Sequence, residues 1–288
     1  MKPRVDLTWI EKYATFEQMA DGSLSPTDHH FLAEVVYRDA AQLQGVTASL
    51  HAGGGVIASY DANDPRAFTN GYFYTRKSQS YDSLAALESA HPAQASYSWE
   101  LVGHGERVQL DAMRIGGREA RTAIPEPSPI FLAQDGREIA GPDGVRPDRP
   151  LTISWRRFAS GTTRPGTAWQ DLIFVLVSDA DGQVIYTGGA PGGDADYLDF
   201  SRTTTEVPAA TLTEGSAYVV FVSQVKWVDH NVSCGIEQLA ANSFAVELPI
   251  HTSGESRPRT GPLRRAPYLW SGKTPGALGM VPWPGFVA

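Results

Sequence analysis

The sequence predicts an all-β protein made of two β-sandwich-like domains in tandem, with one short helical insert and an extended C-terminal tail. Two observations support this prediction. Short apolar or alternating segments bounded by turn residues recur along the chain, and the composition supplies 28 Gly and 20 Pro, as a turn-rich β fold needs. Hydrophobic residues at 42% and charged residues at 19% are typical of a globular protein, and 288 residues are enough for two domains.

Residues 1–30 form an N-terminal segment in this prediction. Trp9, Ile10, Tyr13 and Phe16 fall at spacings of three or four residues, which fits a short amphipathic helix. Gly and Pro residues between positions 22 and 26 would end that helix.

A first small β-domain is predicted at residues 31–125. Its candidate strands are 31–37, 46–50, 55–60, 72–75, 97–101 and 107–110, the last two as a hairpin. A helical insert is expected between Ser83 and Ala90, because Ser83 can cap it while Leu84 and Leu87 line one face. His91-Pro92 ends the helix, and the prolines between 124 and 129 form a stiff linker.

The second domain is predicted at 130–250. The alternating strand Leu151–Trp155 places Trp155 in the core, and an apolar strand over 172–177 runs into an Asp-Gly turn. Leu212 is followed six residues later by Tyr218, at the head of another apolar strand. This pattern over about 150–250 resembles fibronectin type III and related immunoglobulin-like domains, in which a tyrosine hydroxyl bonds to upstream backbone. The resemblance implies a fold and leaves the activity open.

The segment 251–288 is an extended tail rich in Pro and Gly. Its residues from 253 onward hold five basic side chains and one acidic one, whereas the whole chain has a formal net charge of −8. The tail also contains Tyr268, Trp270, Trp283 and Phe286. Because a free tail rarely exposes two tryptophans to water, we expect much of it to lie across the acidic body.

Composition also narrows the partners and the location. A net charge of −8 argues against nucleic acid as the main partner. No apolar run approaches the roughly 20 residues of a membrane span, and the N-terminus has no signal-peptide core, so the sequence as written predicts a cytoplasmic protein. A signal removed beforehand would leave the same sequence, and secretion therefore stays open. The single cysteine, Cys234, excludes an intrachain disulfide.

Asp229 and His230 are the candidate catalytic residues, near the end of the strand that starts with Tyr218. An aspartate beside a histidine can orient it for acid/base chemistry. Adjacent residues of a strand point to opposite faces, however, so a hydrogen-bonded loop is the alternative interpretation. Cys234 with His230 would form a nucleophile pair only in principle, since free cysteines are usually small buried hydrophobes.

The candidate ligand-binding residues are aromatic and acidic side chains in loops or at strand ends: Trp169, Asp194, Asp196, Tyr197 and Trp227. Their rings can stack on a sugar or another flat ligand, although such rings also fill domain interfaces. No metal site is predicted, because neither Asp28-His29-His30 nor the aspartates between 194 and 199 match a ligand spacing. No cofactor is predicted either, since no nucleotide-binding glycine motif is present.

Two functions remain open on the sequence. The first is a binding protein whose small-molecule, carbohydrate or protein ligand contacts loops or the groove between the domains. The second is a cofactor-independent lyase, isomerase or hydrolase with an acid/base site at that cleft or in the sandwich-end loops, which needs no linear motif. The absence of a catalytic motif favours the first.

Overall fold

The computed structural model describes residues 5–37, 45–60, 66–68, 71–116, 126–139, 141–158, 171–188 and 198–254. Within these ranges the protein is all-β with one short helix, as predicted. The elements are β1 Leu7–Gln18, β2 Leu24–Tyr37, β3 Thr47–Ala52, β4 Gly55–Tyr60, β5 Arg66–Phe68, β6 Gly71–Lys77, α1 Leu84–Ala90, β7 Tyr97–Gly103, β8 Glu106–Gln109, β9 Ile130–Gln134, β10 Arg137–Glu138, β11 Asp143–Val145, β12 Leu151–Trp155, β13 Leu172–Asp179, β14 Val184–Gly188, β15 Leu198–Asp199, β16 Thr204–Val207, β17 Ala217–Ser233 and β18 Ile236–Thr252.

A ten-stranded sheet, here called the central sheet, runs through the whole described body. Its order is β14-β13-β17-β18-β1-β2-β6-β5, with β11 beside β18 and β15 beside β13. The strands β17 and β18 are 17 residues each, about three times the usual strand length, and pair as one long hairpin. β1 lies parallel to β18 and antiparallel to β2.

Two four-stranded sheets pack side by side on one face of the central sheet, here called the inner face. The first small sheet, β4-β3-β7-β8, shares a core with Ile10, Ala33 and Ala240. The second small sheet, β10-β9-β12-β16, shares a core with Phe244 and Val222. Among the described strands, two β-sandwiches therefore use different lengths of the same central strands.

The opposite, outer face of the central sheet is also buried. Side chains that alternate with the inner-face residues form a third apolar cluster, which includes Trp9, Tyr13, Leu32 and Leu239. All members of this cluster among the described residues belong to strands of the central sheet.

The helix predicted near residues 9–16 is wrong, because this segment is the central strand β1. Trp9 and Tyr13 belong to the outer-face cluster, while Ile10 lies in the first inner-face core. A strand buried on both faces carries apolar residues at both odd and even positions. Spacings of three and four residues then arise without any helical turn.

The features that carried the resemblance over 150–250 are present in the second sandwich. Trp155 is 3% exposed, and its indole N–H donates to the Arg202 carbonyl at 3.1 Å. The Tyr218 hydroxyl accepts a hydrogen bond from the Thr213 backbone N–H at 2.8 Å, one residue beyond Leu212. This bond fixes the connection that enters β17.

The short helix α1 begins after Ser83, whose hydroxyl accepts from the Ala86 N–H, and ends at His91. Both boundaries agree with the sequence prediction. Leu87 is buried, but Leu84 is 41% exposed, so the predicted two-leucine face is wrong at Leu84. In a helix of only seven residues, the buried Leu87 is enough to attach the helix to the core.

The division into residues 31–125 and 130–250 stays a prediction. In the structure, strands β1, β17 and β18 each contribute side chains to both the first core and the second core. The tail prediction concerns residues 255–288 almost entirely, and these lie outside the described residues.

Replacing Trp155 by Ala should lower the free energy of unfolding by about 3–5 kcal/mol, because the cavity left in the second core cannot collapse. Urea unfolding followed by circular dichroism measures this change. Val232→Ala is the control, since Val232 is 56% exposed and its truncation should stay within about 0.5 kcal/mol. Equal stability of the Trp155→Ala and parent proteins would contradict the core assignment.

Candidate functional site

The predicted catalytic pair lies in the distal half of the β17–β18 hairpin. A β-bulge separates Trp227 from Asp229, and beyond it Asp229 pairs with Ala240 on the inner face. The Asp229 carboxylate accepts hydrogen bonds from the backbone N–H groups of Arg114 at 3.3 Å and His230 at 3.0 Å. It therefore joins the hairpin to the segment that follows the first small sheet.

His230 points the other way. It pairs with Leu239, a member of the outer-face cluster, and its imidazole Nε2 is hydrogen-bonded to the Glu237 carboxylate across the hairpin. The side chains of His230 and Glu237 are 40% and 27% exposed. The structure thus separates the two candidate residues onto opposite faces, and a catalytic role for them stays a prediction.

Trp227 is half-buried at the bulge, beside Trp9. The centroids of the two indole rings are 4.8 Å apart and the ring planes are inclined by 54°. The backbone N–H of Trp227 donates to the Asp171 carboxylate at 2.9 Å. Cys234 takes the first position of the hairpin turn with a φ of +55° and is exposed, so the expectation of a buried cysteine is wrong. A tight turn leaves its side chain no core to enter.

The other predicted ligand-binding residues, Trp169, Asp194, Asp196 and Tyr197, lie outside the described residues. In the described ranges no group of three metal-ligating side chains lies close enough together to hold an ion. His29 and His30 belong to opposite faces of β2: His29 Nδ1 lies 3.2 Å from the Tyr81 carbonyl, and His30 Nδ1 lies 3.2 Å from the Asp28 carboxylate.

A charged cluster occupies the inner face at the boundary between the two sandwich cores. Along β1, Ile10 belongs to the first core and Ala14 to the second, and Lys12 lies between them. The Lys12 ammonium group is buried and donates to Glu88 of α1, whose other carboxylate oxygen accepts from the Ala93 N–H at 2.7 Å. This pair fastens the helix to the central sheet.

His91 follows α1 and completes this boundary cluster. Its imidazole stacks on Phe31, with ring centroids 4.4 Å apart, and its Nε2 lies 3.0 Å from the Tyr81 hydroxyl. Burial, and then the charge of Lys12, lower the pKa of His91 to about 4. Burial also lowers the pKa of Lys12, an effect that the hydrogen bond with Glu88 opposes.

The boundary cluster of Lys12, Glu88 and His91 holds titratable groups, but its geometry fits a structural role better than proton transfer. An imidazole with a pKa near 4 is neutral and a weak base at neutral pH. Lys12 is 4% exposed and engaged with Glu88, which leaves little access for a substrate.

A cavity of about 360 Å³, here called the turn pocket, opens between the β1–β2 turn and the start of the second small sheet. Its lining residues come from both sides of this gap and from the long strand β18: Gln18, Met19, Ala20, Asp21, Gly22, Pro129, Ile130, Phe131, Leu132, Glu138, Ile139, Gly141, Pro142, Arg156 and Leu248. A cavity of this volume falls within the range of small-molecule sites.

Hydrogen bonds hold both walls of the turn pocket in place. The Gln18 side chain accepts from the Ile130 N–H at 2.6 Å and donates to the Ile130 carbonyl at 2.9 Å, so it pairs with backbone as a neighbouring strand would. In the β1–β2 turn, the Asp21 carboxylate accepts from the N–H and the hydroxyl of Ser23. Gly22, with a φ of +82°, permits the reversal of the chain.

The turn pocket combines an apolar surface with a few charged groups at its rim. Met19 is 47% exposed and Phe131 is half-buried. The exposed Arg156 places its guanidinium carbon 6.0 Å from the centroid of the Phe131 ring, while Asp21 and Glu138 supply two carboxylates. An aromatic ring beside planar charged groups can contact a ligand that has both apolar faces and hydroxyl groups.

Sequence reasoning missed the turn pocket. Residues of two turns form much of its wall, and turns have no fixed residue pattern that marks a ligand site. The available signal was Gly22, which in the sequence pattern predicts the end of a helix.

A buried carboxyl group lies on the outer face of β1. Glu11 is 2% exposed and pairs in register with Leu32 and Ala241. Burial raises the pKa of Glu11 to about 8, and a hydrogen bond with Ser243 opposes part of that rise. Glu11 is therefore mostly protonated in the folded protein at neutral pH.

Comparison with known proteins assigns this chain to no family. The chain matches no protein-family model and no curated protein. A solved structure that it matches is an ICAM-5 ectodomain fragment of domains D1–D4, at 13% identity and a TM-score of 0.22. The match covers 83% of this chain and 53% of that one, so the chain spans about half the length of the fragment.

The described strands themselves define the class of the second half, which is a β-sandwich. Within the described ranges, no helix has the length and apolar character needed to cross a membrane.

Asp229→Ala and His230→Ala should differ in stability. Asp229 is 9% exposed and accepts two backbone hydrogen bonds, so its loss should cost about 1–3 kcal/mol. His230 forms a partly exposed hydrogen bond with Glu237, and its loss should cost no more than about 1 kcal/mol. Urea unfolding of both variants measures the difference, and a larger loss for His230→Ala would contradict these assignments.

The Glu11 carboxyl group should make the protein less stable as the pH rises. Its folded pKa of about 8 exceeds the ordinary value of 4.5, so the folded state binds the proton more tightly than the unfolded state between these values. The contribution to stability is complete below about pH 4.5 and falls, by at most about 1.4 kcal/mol per pH unit, until about pH 8.

The variant Glu11→Gln should remove this dependence and raise the free energy of unfolding at pH 8 relative to the parent protein. Urea unfolding at several pH values measures it, with Glu106→Gln on exposed β8 as the control. Identical pH profiles for Glu11→Gln and the parent protein would show that Glu11 ionises normally in the fold.

Proposed function

We propose that this protein is a non-catalytic, ligand-binding β-sandwich protein, and that the turn pocket takes a small molecule of the size and character of a carbohydrate. The observation that supports this proposal is the cavity of about 360 Å³ with its apolar wall and charged rim. Phe131 and Ile139 offer apolar surface to the face of a sugar ring. Arg156, Asp21 and Glu138 can donate to and accept from its hydroxyl groups.

The hydrogen bonds around the pocket also support a binding role. Because Gln18 and Asp21 are already bonded to backbone, the walls keep their shape without a ligand. A preformed site loses less conformational entropy when the ligand binds. The boundary cluster, in contrast, offers a neutral histidine and an ion-paired lysine, which favours binding over acid/base catalysis for this chain.

We further infer that the second sandwich is of the fibronectin type III kind. In support, β9, β12 and β16 form one layer, and β14, β13, β17 and β18 follow each other in the facing layer. The tyrosine hydroxyl bond at the entry to β17 agrees with this assignment. Domains of this kind serve many functions, so the assignment does not itself select a ligand.

Arg156→Ala should weaken binding of the ligand without unfolding the protein. Its guanidinium is exposed beside the pocket, so its removal should leave the free energy of unfolding within about 0.5 kcal/mol. We expect a rise in melting temperature of the parent protein with members of a mono- and disaccharide panel, and a loss of that rise in Arg156→Ala.

The matched control is Arg137→Ala, which removes an exposed arginine of the same small sheet that does not line the pocket. The proposal predicts binding by Arg137→Ala equal to that of the parent protein. A ligand whose effect is the same on all three proteins binds elsewhere and would overturn the assignment of the pocket. The absence of any thermal shift across the panel would overturn the carbohydrate class.

A further inference from the structure

The outer-face cluster is buried, although every described member of it belongs to the central sheet itself. Trp9 and Leu239 are 1% and 0% exposed within a single copy of the chain. One layer of strands cannot remove the side chains on its own face from water, because burial needs another layer packed against that face. Both small sheets lie on the inner face, where Leu87 also joins α1 to the first core. The cover of the outer face is therefore to be sought in the chain outside the described residues.

The described charges on the outer face are acidic. Glu17 and Glu247 pair in register on β1 and β18, and Glu34 lies on the same face of β2. In the central-sheet strands whose side chains are described, the lysines and arginines are Lys12 and Lys226, and strand alternation places both on the inner face. Because carboxylates side by side on neighbouring strands repel one another, this face favours a cationic segment as its cover.

The tail has the length and the composition for this role. Residues 255–288 number 34 and can extend roughly 110 Å, whereas the cluster spans five neighbouring strands, about 19 Å. The longest internal range outside the described residues is 159–170, which has 12 residues and is fixed at both ends. From residue 253 onward the chain holds five basic side chains, one acidic side chain and four large aromatic residues.

The end of β18 leaves the outer face open to the departing chain. β17 lies on one side of this end and β11 on the other, so the tail cannot continue between them as a new strand. The second small sheet occupies the inner face here, where Ile250 belongs to the second core. At Gly254 the chain leaves the line of the strand, because a φ of +126° lies outside the range of β structure.

We propose that residues 255–288 pack across the outer face as a third layer of the molecule, over β13, β17, β18, β1 and β2. The aromatic side chains of the tail cover Trp9 and Tyr13, and its arginines lie near the carboxylates of Glu17 and Glu247. Length, aromatic content and charge together select this segment over the shorter internal ones. The inference is independent of the turn pocket, which opens beside the second small sheet.

Hydroxyl-radical oxidation of the full chain, measured residue by residue by mass spectrometry, tests this cover. Trp9 on the outer face and Trp99 in the first core form a matched pair, because both are 1% exposed, and both should react slowly in the parent protein. The double variant Trp270→Ser with Trp283→Ser should release the tail. Oxidation of Trp9 should then rise severalfold, while oxidation of Trp99 stays unchanged.

The matched control is Trp270→Phe with Trp283→Phe, which keeps two aromatic rings and should leave Trp9 protected. Continued protection of Trp9 in the serine variant would assign the cover to another segment and overturn the proposal. An equal rise at Trp99 would give the tail a role in the whole fold, and it would equally contradict an assignment to one face.

Trypsin cleavage after Arg264 and Arg265 in the full chain tests the electrostatic part of the proposal. Glu17→Lys and Glu206→Lys change the net charge by the same amount, the first on the outer face and the second on exposed β16. Glu17→Lys should speed cleavage severalfold because it repels the basic tail, and added salt should speed cleavage of the parent protein. Glu206→Lys should cut at the parent rate. Equal rates in the two variants would rule out the outer face as the surface that holds the tail.

Discussion

β1, β17 and β18 pair side by side in the central sheet, and both cores are built on their inner face. The long hairpin extends about 55 Å if its strands are regular, far enough to serve two cores in succession. Near one end of β18, Ile236 and Ala240 enter the first core, and near the other, Val246 and Ile250 enter the second. The hairpin tip, the boundary cluster and the turn pocket all take their positions from these three strands.

Two charged residue types of β1, Lys12 and Glu11, are buried in the central sheet, each with a different compensation for its burial. Lys12 lies on the inner face between the two cores, where α1 brings Glu88 to its ammonium group. Glu11, one residue earlier, lies on the outer face among apolar neighbours and meets the cost of burial by retaining its proton. Two adjacent residues of one strand thus satisfy the same constraint in different ways, because strand alternation gives them different surroundings.

The sequence was sufficient to predict much of the second sandwich. Trp155 and Tyr218 each sit in an alternating or apolar strand with a clear turn before it, and local patterns of this kind specify strands well. β1 could not be predicted, because a strand buried on both faces lacks the alternation of apolar and polar residues that marks a half-buried strand. The opposite orientations of Asp229 and His230 could be predicted, because successive side chains of a strand point to opposite faces. The bulge after Trp227 could not be predicted from the sequence. The turn pocket depends on two turns distant in sequence, and only the folded chain shows that Gln18 meets Ile130.

The parallel pairing of β1 with β18 has a consequence for the order in which the chain can fold during synthesis. Leu7 pairs with Glu237, so the ribosome must translate nearly the whole described chain before the central sheet can close. At about 5–20 residues per second, β1 waits on the order of ten seconds or more for this partner. During that time it can pair only with β2, and an isolated hairpin is marginally stable in water. Trp9 and Tyr13, which are buried in the complete fold, would then stay in contact with water at least until β18 is available.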